Sequence, residues 1–215
     1  IAFDAEVVGS DPLTDIAVLH TDRTDLTPIR LGSEADLVIG ERTVAVGNPL
    51  GLIGGPSVTS GILSAKGRSL QVTADTILYG LLQTDAPITR GSSGGALLDE
   101  EGKLIGITTA IGVSDVGAEG LGFAVPVDLA GSVAADLIAD GRVRHAMLGI
   151  QGTTATEQID GAEIPLGVSV SSMLSGSAYE SAGGRLGDVI VAVDGEEVSS
   201  IQELIGDLRM KRAGD

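Results

Sequence analysis

Cysteine is absent from the 215 residues, which excludes disulfides, thiol nucleophiles and thiolate metal sites while leaving the redox compartment open. Tryptophan is absent as well, and aromatics amount to only 2%, so a core must be assembled from Val, Ile, Leu and Ala. Histidine occurs twice, at the isolated positions His20 and His145, a pattern that argues against a zinc site. Basic residues are scarce, with a formal charge of 13 − 30 = −17. Phosphate contacts require clustered Lys and Arg in excess, which this balance argues against, so nucleic acid and anionic membrane surfaces are not expected partners. The acidic excess reads as solubility through self-repulsion. No apolar run approaches the roughly 18 residues of a membrane span, and no signal peptide is visible.

What the chain has in quantity is apolar residues (43%) and glycine (32 residues). The first supports a real core. The second, about twice average usage, favours tight turns and short strands. "DIAVL" (Asp15–Leu19), "RTVAVG" (Arg42–Gly47) and "SVTSGILSA" (Ser57–Ala65) read as strands separated by breakers such as "GNPLGLIGG". A link is expected around Gly67–Asp75, after which "ILYGLLQ", "GALLD", "KLIGITTAI" and "GLGFAVP" repeat the style, with "DEEGK" (Asp99–Lys103) as a hairpin loop. A helix is predicted from Pro126 to about Asp140, its apolar face marked by Leu129, Val133 and Leu137 and its end by Gly141. Two successive β units closed by a helix suggest two small packed barrels. The organisation changes near Arg142, which places a boundary between domains 1–141 and 142–215. In the second, "GDVIVAVDGEEV" (Gly187–Val198) reads as a strand with an Asp-Gly turn. "SSIQELIGDL" (Ser199–Leu208) reads as a helix with a Ser200/Glu203 capping box and an apolar face of Ile201, Leu204, Ile205 and Leu208. The chain starts at Ile1 within what reads as a strand and stops at Asp215 where one more is expected, so a longer polypeptide is anticipated.

The stretch "PITRGSSGGALL" (Pro87–Leu98) carries the chemistry. A serine hydroxyl attacks only when a base removes its proton and backbone amides receive the oxyanion. A turn through Gly91-Ser92-Ser93-Gly94-Gly95 can display Ser93 and aim the N–H groups of Gly91 and Ser93 into one concavity. By itself such a string is also compatible with a plain loop. It fits the G-x-S-x-G nucleophile elbow, yet that elbow needs a helix directly after the serine, whereas "ALLDEEGKLIGITTAI" reads as a hairpin.

With these segments in order and spacing ("VVGSDPLTDIAVL", "VAVGNPLG", "VTSGILSAKGR", "LLQTDAPITRGSSGGALLDEEGKLIGITTAI", "GLGFAVP"), the sequence resembles the HtrA (DegP-like) family of trypsin-like serine proteases. The resemblance implies a mainly β fold: a chymotrypsin-like double β-barrel, its N-terminal barrel incomplete here, followed by a partial α+β PDZ domain that lacks its final strand. It implies Ser93 as nucleophile, Asp15 as the triad aspartate, and Gly91 and Ser93 as the oxyanion hole. The strand Phe123-Ala124-Val125 would form one wall of a specificity pocket for small to medium aliphatic side chains, because Pro87 stands where trypsin-like enzymes carry an acid. Asp85 lies nearby. "MLGI" (Met147–Ile150) would be the carboxylate-binding loop, with amides of Leu148, Gly149 and Ile150 receiving peptide C-termini.

Three departures stand out: Ser92 replaces the usual Asn, Ala178 a Pro, and Gly184 a Leu. The family's histidine precedes the aspartate, in a segment outside this chain; His20 is expected at a strand end and His145 in an exposed linker. The implied function is ATP-independent endoproteolysis of unfolded or damaged proteins in extracytoplasmic quality control, without cofactor or metal, by a full-length homotrimer. The opposing reading is a non-catalytic, chaperone-like pseudoprotease that binds peptides through its PDZ domain.

Overall fold

The computed structural model describes residues 3–49, 55–74, 76–89, 91–111 and 121–215, residues 110 and 111 by their backbone. The centre of the expected breaker at 50–54, Asp75 of the expected link and Arg90 of the serine loop lie outside the described residues. The chain divides into two compact units, Ile1–Val143 and Arg144–Asp215.

The first unit opens with a hairpin, β1 (Glu6–Asp11) and β2 (Ile16–His20). There follow β3 (Arg42–Gly47), β4 (Ser57–Gln71), β5 (Ile77–Thr84), β6 (Ala96–Leu98), β7 (Leu104–Ile111) and β8 (Gly122–Pro126), then α1 (Val127–Asp140). β3 to β8 close into one barrel in the order β3-β4-β5-β8-β7-β6. This corrects the expected division. The link at Gly67–Asp75 does not separate two β units, because β4 runs on to Gln71 and pairs with β5. Gly67, at φ 68°, sits where the β4–β5 register shifts between Ala65 and Arg68. A bulge bends a strand without ending it, so a glycine that reads as a breaker is a bend in a continuous strand.

Alternation along the strands sorts the side chains. Leu63, Leu82, Leu97, Ile105 and Ala124 fill the barrel interior, where Thr43 and Thr84 satisfy each other through a buried 2.8 Å hydroxyl pair. On the opposite face, Leu78, Leu81, Phe123 and Val125 pack against Leu129, Val133 and Leu137 of α1 and Ile16 of β2. The helix begins one residue after the expected start and ends where its sequence says: Pro126 is the N-cap and Gly141, at φ 69°, closes the last turn by donating its N–H to Leu137 O. The "DEEGK" loop joins β6 to β7, with Asp99 Oδ1 accepting from the amides of Glu101 and Lys103.

The second unit consists of β9 (Ile150–Ile159), β10 (Ala162–Met173), α2 (Ala178–Ser181), β11 (Val189–Ile190), β12 (Ala192–Val193), β13 (Glu196–Glu197) and α3 (Ile201–Arg209). Its main sheet has the order β11-β10-β9, so β9 is an edge strand. The strand expected over Gly187–Val198 is divided: β11 joins the sheet while β12 and β13 form a separate hairpin across Asp194–Gly195. Val168, Val198 and Leu204 form the small core. The capping box of α3 reaches one residue further than the spacing suggests. Ser200 Oγ accepts from Glu203 N, while the Glu203 carboxylate accepts from both the amide and the hydroxyl of Ser199.

Candidate functional site

The loop at 89–95 is positioned by what its backbone bonds to. Ser92 N donates to Thr89 O (3.0 Å), Gly95 N to Ser92 O (2.9 Å) and Gly94 N to Thr108 O on β7 (2.7 Å). Thr108 returns two bonds, from its amide to Gly95 O and from its hydroxyl to Ser92 O. Close packing fixes the loop against β3. A Cβ on Gly95 would stand 2.3 Å from Val46 O, and one on Gly47 would meet Ser92 Cα at 2.9 Å. Only glycine permits these contacts.

Two amides of the loop remain. Among the described residues, the N–H groups of Gly91 and Ser93 have no hydrogen-bond acceptor, and these are the two singled out from the sequence. The serines are also told apart: Ser92 is buried against β3, whereas Ser93 is exposed. An exposed hydroxyl beside two unengaged amides can deliver a nucleophile and receive an oxyanion.

Asp15 closes the β1–β2 turn in the left-handed region at φ 60°, and the turn is locked by Thr14 Oγ1 donating to the buried Asp11 carboxylate at 2.6 Å. Thr109 brings Asp15 and Ser93 together. Its hydroxyl donates a short hydrogen bond to Asp15 Oδ2, and its carbonyl accepts from Ser93 Oγ at 2.6 Å. Sequence reasoning missed Thr109. The available signal was the Thr108-Thr109 pair within an apolar strand: alternation sends one hydroxyl to each face, and both side chains are buried, so each must find a partner.

Neither histidine takes part in this pairing. His20 ends β2 as expected and lies exposed, with Nε2 3.5 Å from Asp22. His145 is not an exposed linker residue: it is half-buried and forms a backbone bridge with Arg212. The first turn out of a domain is readily taken for a linker when the strand partner lies almost 70 residues downstream, here Arg212.

The proposed wall strand requires adjustment too. Phe123, Ala124 and Val125 are all buried, Ala124 inside the barrel and the other two against α1. Their side chains are core, and the strand itself is paired on both sides, with β5 and with β7. Asp85 is committed elsewhere, its Oδ1 accepting from Ile62 N at 2.7 Å.

In the second unit a groove of about 440 Å³ lies between the start of β9 and α3, lined by Ile201, Leu204, Ile205 and Leu208 opposite Met147–Ile150. Gly149, at φ 71°, lies flush on Ser177, where a Cβ would meet Ser177 Cβ at 2.6 Å. Leu148 O accepts from Tyr179 N and Gly149 O from Leu174 N. In a trans peptide the N–H points opposite to the C=O, so the amides of Gly149 and Ile150 are turned away from those partners. The ring of Tyr179 covers Gly184, filling the place of a larger side chain there. Its hydroxyl donates to Asp188 at 3.0 Å, and burial together with that carboxylate raises the phenol's pKa.

Against known proteins, the family described as "Trypsin-like peptidase domain" matches residues 1–107. The periplasmic pH-dependent serine endoprotease DegQ of Escherichia coli (strain K12) is 43% identical over 207 residues, covering 94% of this chain and 44% of that protein. The periplasmic serine endoprotease DegP of Salmonella typhimurium (strain LT2) is 42% identical, covering 94% of this chain and 42% of its own length. A solved structure, the HtrA-type protease AlgW with tripeptide, superposes with a TM-score of 0.75 at 37% identity, covering 97% of this chain and 69% of that one. The chain therefore spans less than half the length of these curated relatives.

Proposed function

The chain belongs to the HtrA family of trypsin-like serine proteases, and on that footing we propose that it is the working part of an ATP-independent serine endopeptidase that degrades unfolded or damaged proteins outside the cytoplasm. The observation that carries this reading is the geometry around Thr109: an exposed Ser93 beside two unengaged amides, joined through one residue to Asp15. Ser93 Oγ attacks the scissile carbonyl carbon as its proton passes to an imidazole, and the N–H groups of Gly91 and Ser93 receive the oxyanion. The imidazole then protonates the leaving amine, and water hydrolyses the acyl-enzyme. Asp15 orients the imidazole and stabilises its charged form, while the Thr109 hydroxyl holds the carboxylate. Ser93 exchanges its bond to Thr109 O for one to the base. That base is a histidine to be sought ahead of Ile1, as the family resemblance implies.

Small to medium aliphatic residues are the proposed preference before the scissile bond. Pro87 stands six positions before Ser93, and the Asp85 carboxylate is spent on Ile62 N. The second unit is proposed as a PDZ domain that takes peptide C-termini as an added strand on β9, since β9 leaves one edge of its sheet open. An extracytoplasmic location and a homotrimeric full-length protein follow the same family reading; among the described residues no helix is long and apolar enough to cross a membrane.

The test uses the full-length gene product and a fluorophosphonate probe, followed by casein cleavage. Wild type should be labelled and active. Ser93→Ala should lose labelling and about 10³-fold or more of the activity. Labelling that survives Ser93→Ala would move the nucleophile elsewhere, and an unlabelled wild type would favour a non-catalytic peptide binder.

A further inference from the structure

The C-terminal end of α3 brings a cation to the groove that the peptide-binding role, as stated so far, does not use. Residues 144–215 contain five Lys and Arg: Arg144, Arg185, Arg209, Lys211 and Arg212. All but Arg185 gather at one corner, because the segment entering the Met147–Ile150 loop runs alongside the segment leaving α3. His145 bridges to Arg212, and Ala213 N donates to Arg144 O at 3.3 Å. This concentration lies in a chain whose formal charge is −17. Lys211 is committed, its ammonium paired closely with Asp194.

Arg209 differs. It lines the groove next to Leu208, across from Ala146, Met147 and Leu148. Its Nε is shut off from solvent and has no hydrogen-bond partner among the described residues. A guanidinium is always charged and carries donors only. The Nη groups of the same guanidinium are not shut off in this way, and at the rim of an otherwise apolar groove their N–H donors are complementary to an anionic acceptor entering that groove. The loop amides point to the same type of ligand, since the carbonyls of Leu148 and Gly149 are held on Tyr179 and Leu174 and leave the Gly149 and Ile150 N–H groups facing away from them.

We propose that Arg209 is a specificity-determining residue of the groove: it forms a charge-assisted hydrogen bond to the free C-terminal carboxylate of the bound peptide, sharing that carboxylate with the amides of the Met147–Ile150 loop. The proposal rests on the PDZ reading above. It makes carboxylate selection a property of helix and loop together, with apolar residues of the ligand seated along Ile201, Ile205 and Leu208. Arg is suited to this task because its planar fork binds a carboxylate through two parallel bonds.

The experiment is fluorescence anisotropy with two dye-labelled octapeptides of uncharged residues ending in valine. One has a free carboxylate and the other a C-terminal amide, and each is titrated with the whole chain. Wild type should favour the free carboxylate by at least about tenfold. Arg209→Gln should weaken the free-carboxylate peptide about tenfold and leave the amide within about twofold, and Arg209→Lys should recover part of the loss. Arg209→Met, which keeps the packed aliphatic stem, carries the test if Arg209→Gln does not fold. Equal weakening of both peptides would make Arg209 merely structural. Unchanged binding of the free-carboxylate peptide would leave the carboxylate to the amides alone. Either result overturns the proposal while wild-type discrimination keeps the groove reading. A wild type that binds both peptides alike, or neither, overturns both.

Discussion

In the first unit the loop carrying Ser93 sits on a closed barrel and spends the amides of Ser92, Gly94 and Gly95 on its own framework. In the second unit the Met147–Ile150 loop leads into β9, an edge strand with β10 as its one strand neighbour among the described residues, and borders an open apolar groove. The contrast fits the roles proposed for the two surfaces. A site that stabilises a charge developing for an instant needs donors fixed before the reaction starts, so its surroundings are saturated with bonds and tight contacts. A site that takes an extra strand must keep backbone groups and apolar surface unsatisfied until the ligand arrives. Rigidity is therefore concentrated at Gly47, Gly95 and Thr108 in one unit, and availability at β9 and α3 in the other.

The contrast can be broken most forcefully at Gly95. A methyl group there meets the carbonyl oxygens of Val46 at 2.3 Å and Ser92 at 2.8 Å, both backbone. Gly95→Ala should lower the stability of the first unit by about 3 kcal/mol and abolish probe labelling of Ser93. Chemical denaturation followed by circular dichroism measures the first effect, and an unshifted midpoint would mean that the loop is not seated on β3 as described.

A smaller effect is expected at Gly149, where the obstacle is the left-handed conformation plus the Ser177 side chain at 2.6 Å. Gly149→Ala should cost about 2 kcal/mol and weaken binding of a peptide with a free C-terminus about tenfold or more, while Ser93 labelling stays intact. Loss of both activities together would show that the two surfaces are not separable in the way their construction suggests.

The smallest effect concerns charge. Burial, and then repulsion from Glu203, raise the carboxyl pKa of Asp207 on α3 above its ordinary value, with Lys211 opposing. A carboxyl whose folded pKa is raised binds its proton more tightly in the folded state. Its stabilising contribution is present below the unfolded pKa, near 4, and is lost as pH rises through the folded value. Asp207→Asn should therefore be more stable than wild type at pH 7 by a few tenths of a kcal/mol after solvent screening, and the advantage should vanish at pH 3. Thermal melts at the two pH values decide this; an equal gain at both would assign the effect to packing.

Much of this was legible in the chain, and the misses have physical causes. The helices at 127–140 and 201–209 announced themselves through apolar spacing and caps, and Pro126, Gly141 and Ser200 serve as those signals indicated. The β9–β10 hairpin went unread. Its "TTATEQI" and "AEIP" segments project with exposed residues on both sides, so no alternation of apolar and polar residues marks them. The Asp160-Gly161 turn between them, with φ of 51° and 83°, was the one local signal. β4 looked broken because a bulge glycine and a turn glycine are the same letter. Thr109 escaped notice because its two bonds go to residues 94 and 16 positions away.

The sequence by itself determined the composition of the core, the two-part organisation, the helix caps and the glycine-rich turn at Ser93, because these depend on local propensity and on glycines that a turn demands nearby. Only the tertiary structure decided that β3 and β4 belong to the barrel of β5–β8, that Ser93 and not Ser92 is exposed, and that Thr109 stands between Ser93 and Asp15. Only there, too, does Arg209 line one groove with the loop that precedes β9. Each of these is a meeting of segments distant in sequence, set by which strand edges pair and which faces are buried, and residue spacing along the chain carries no record of it.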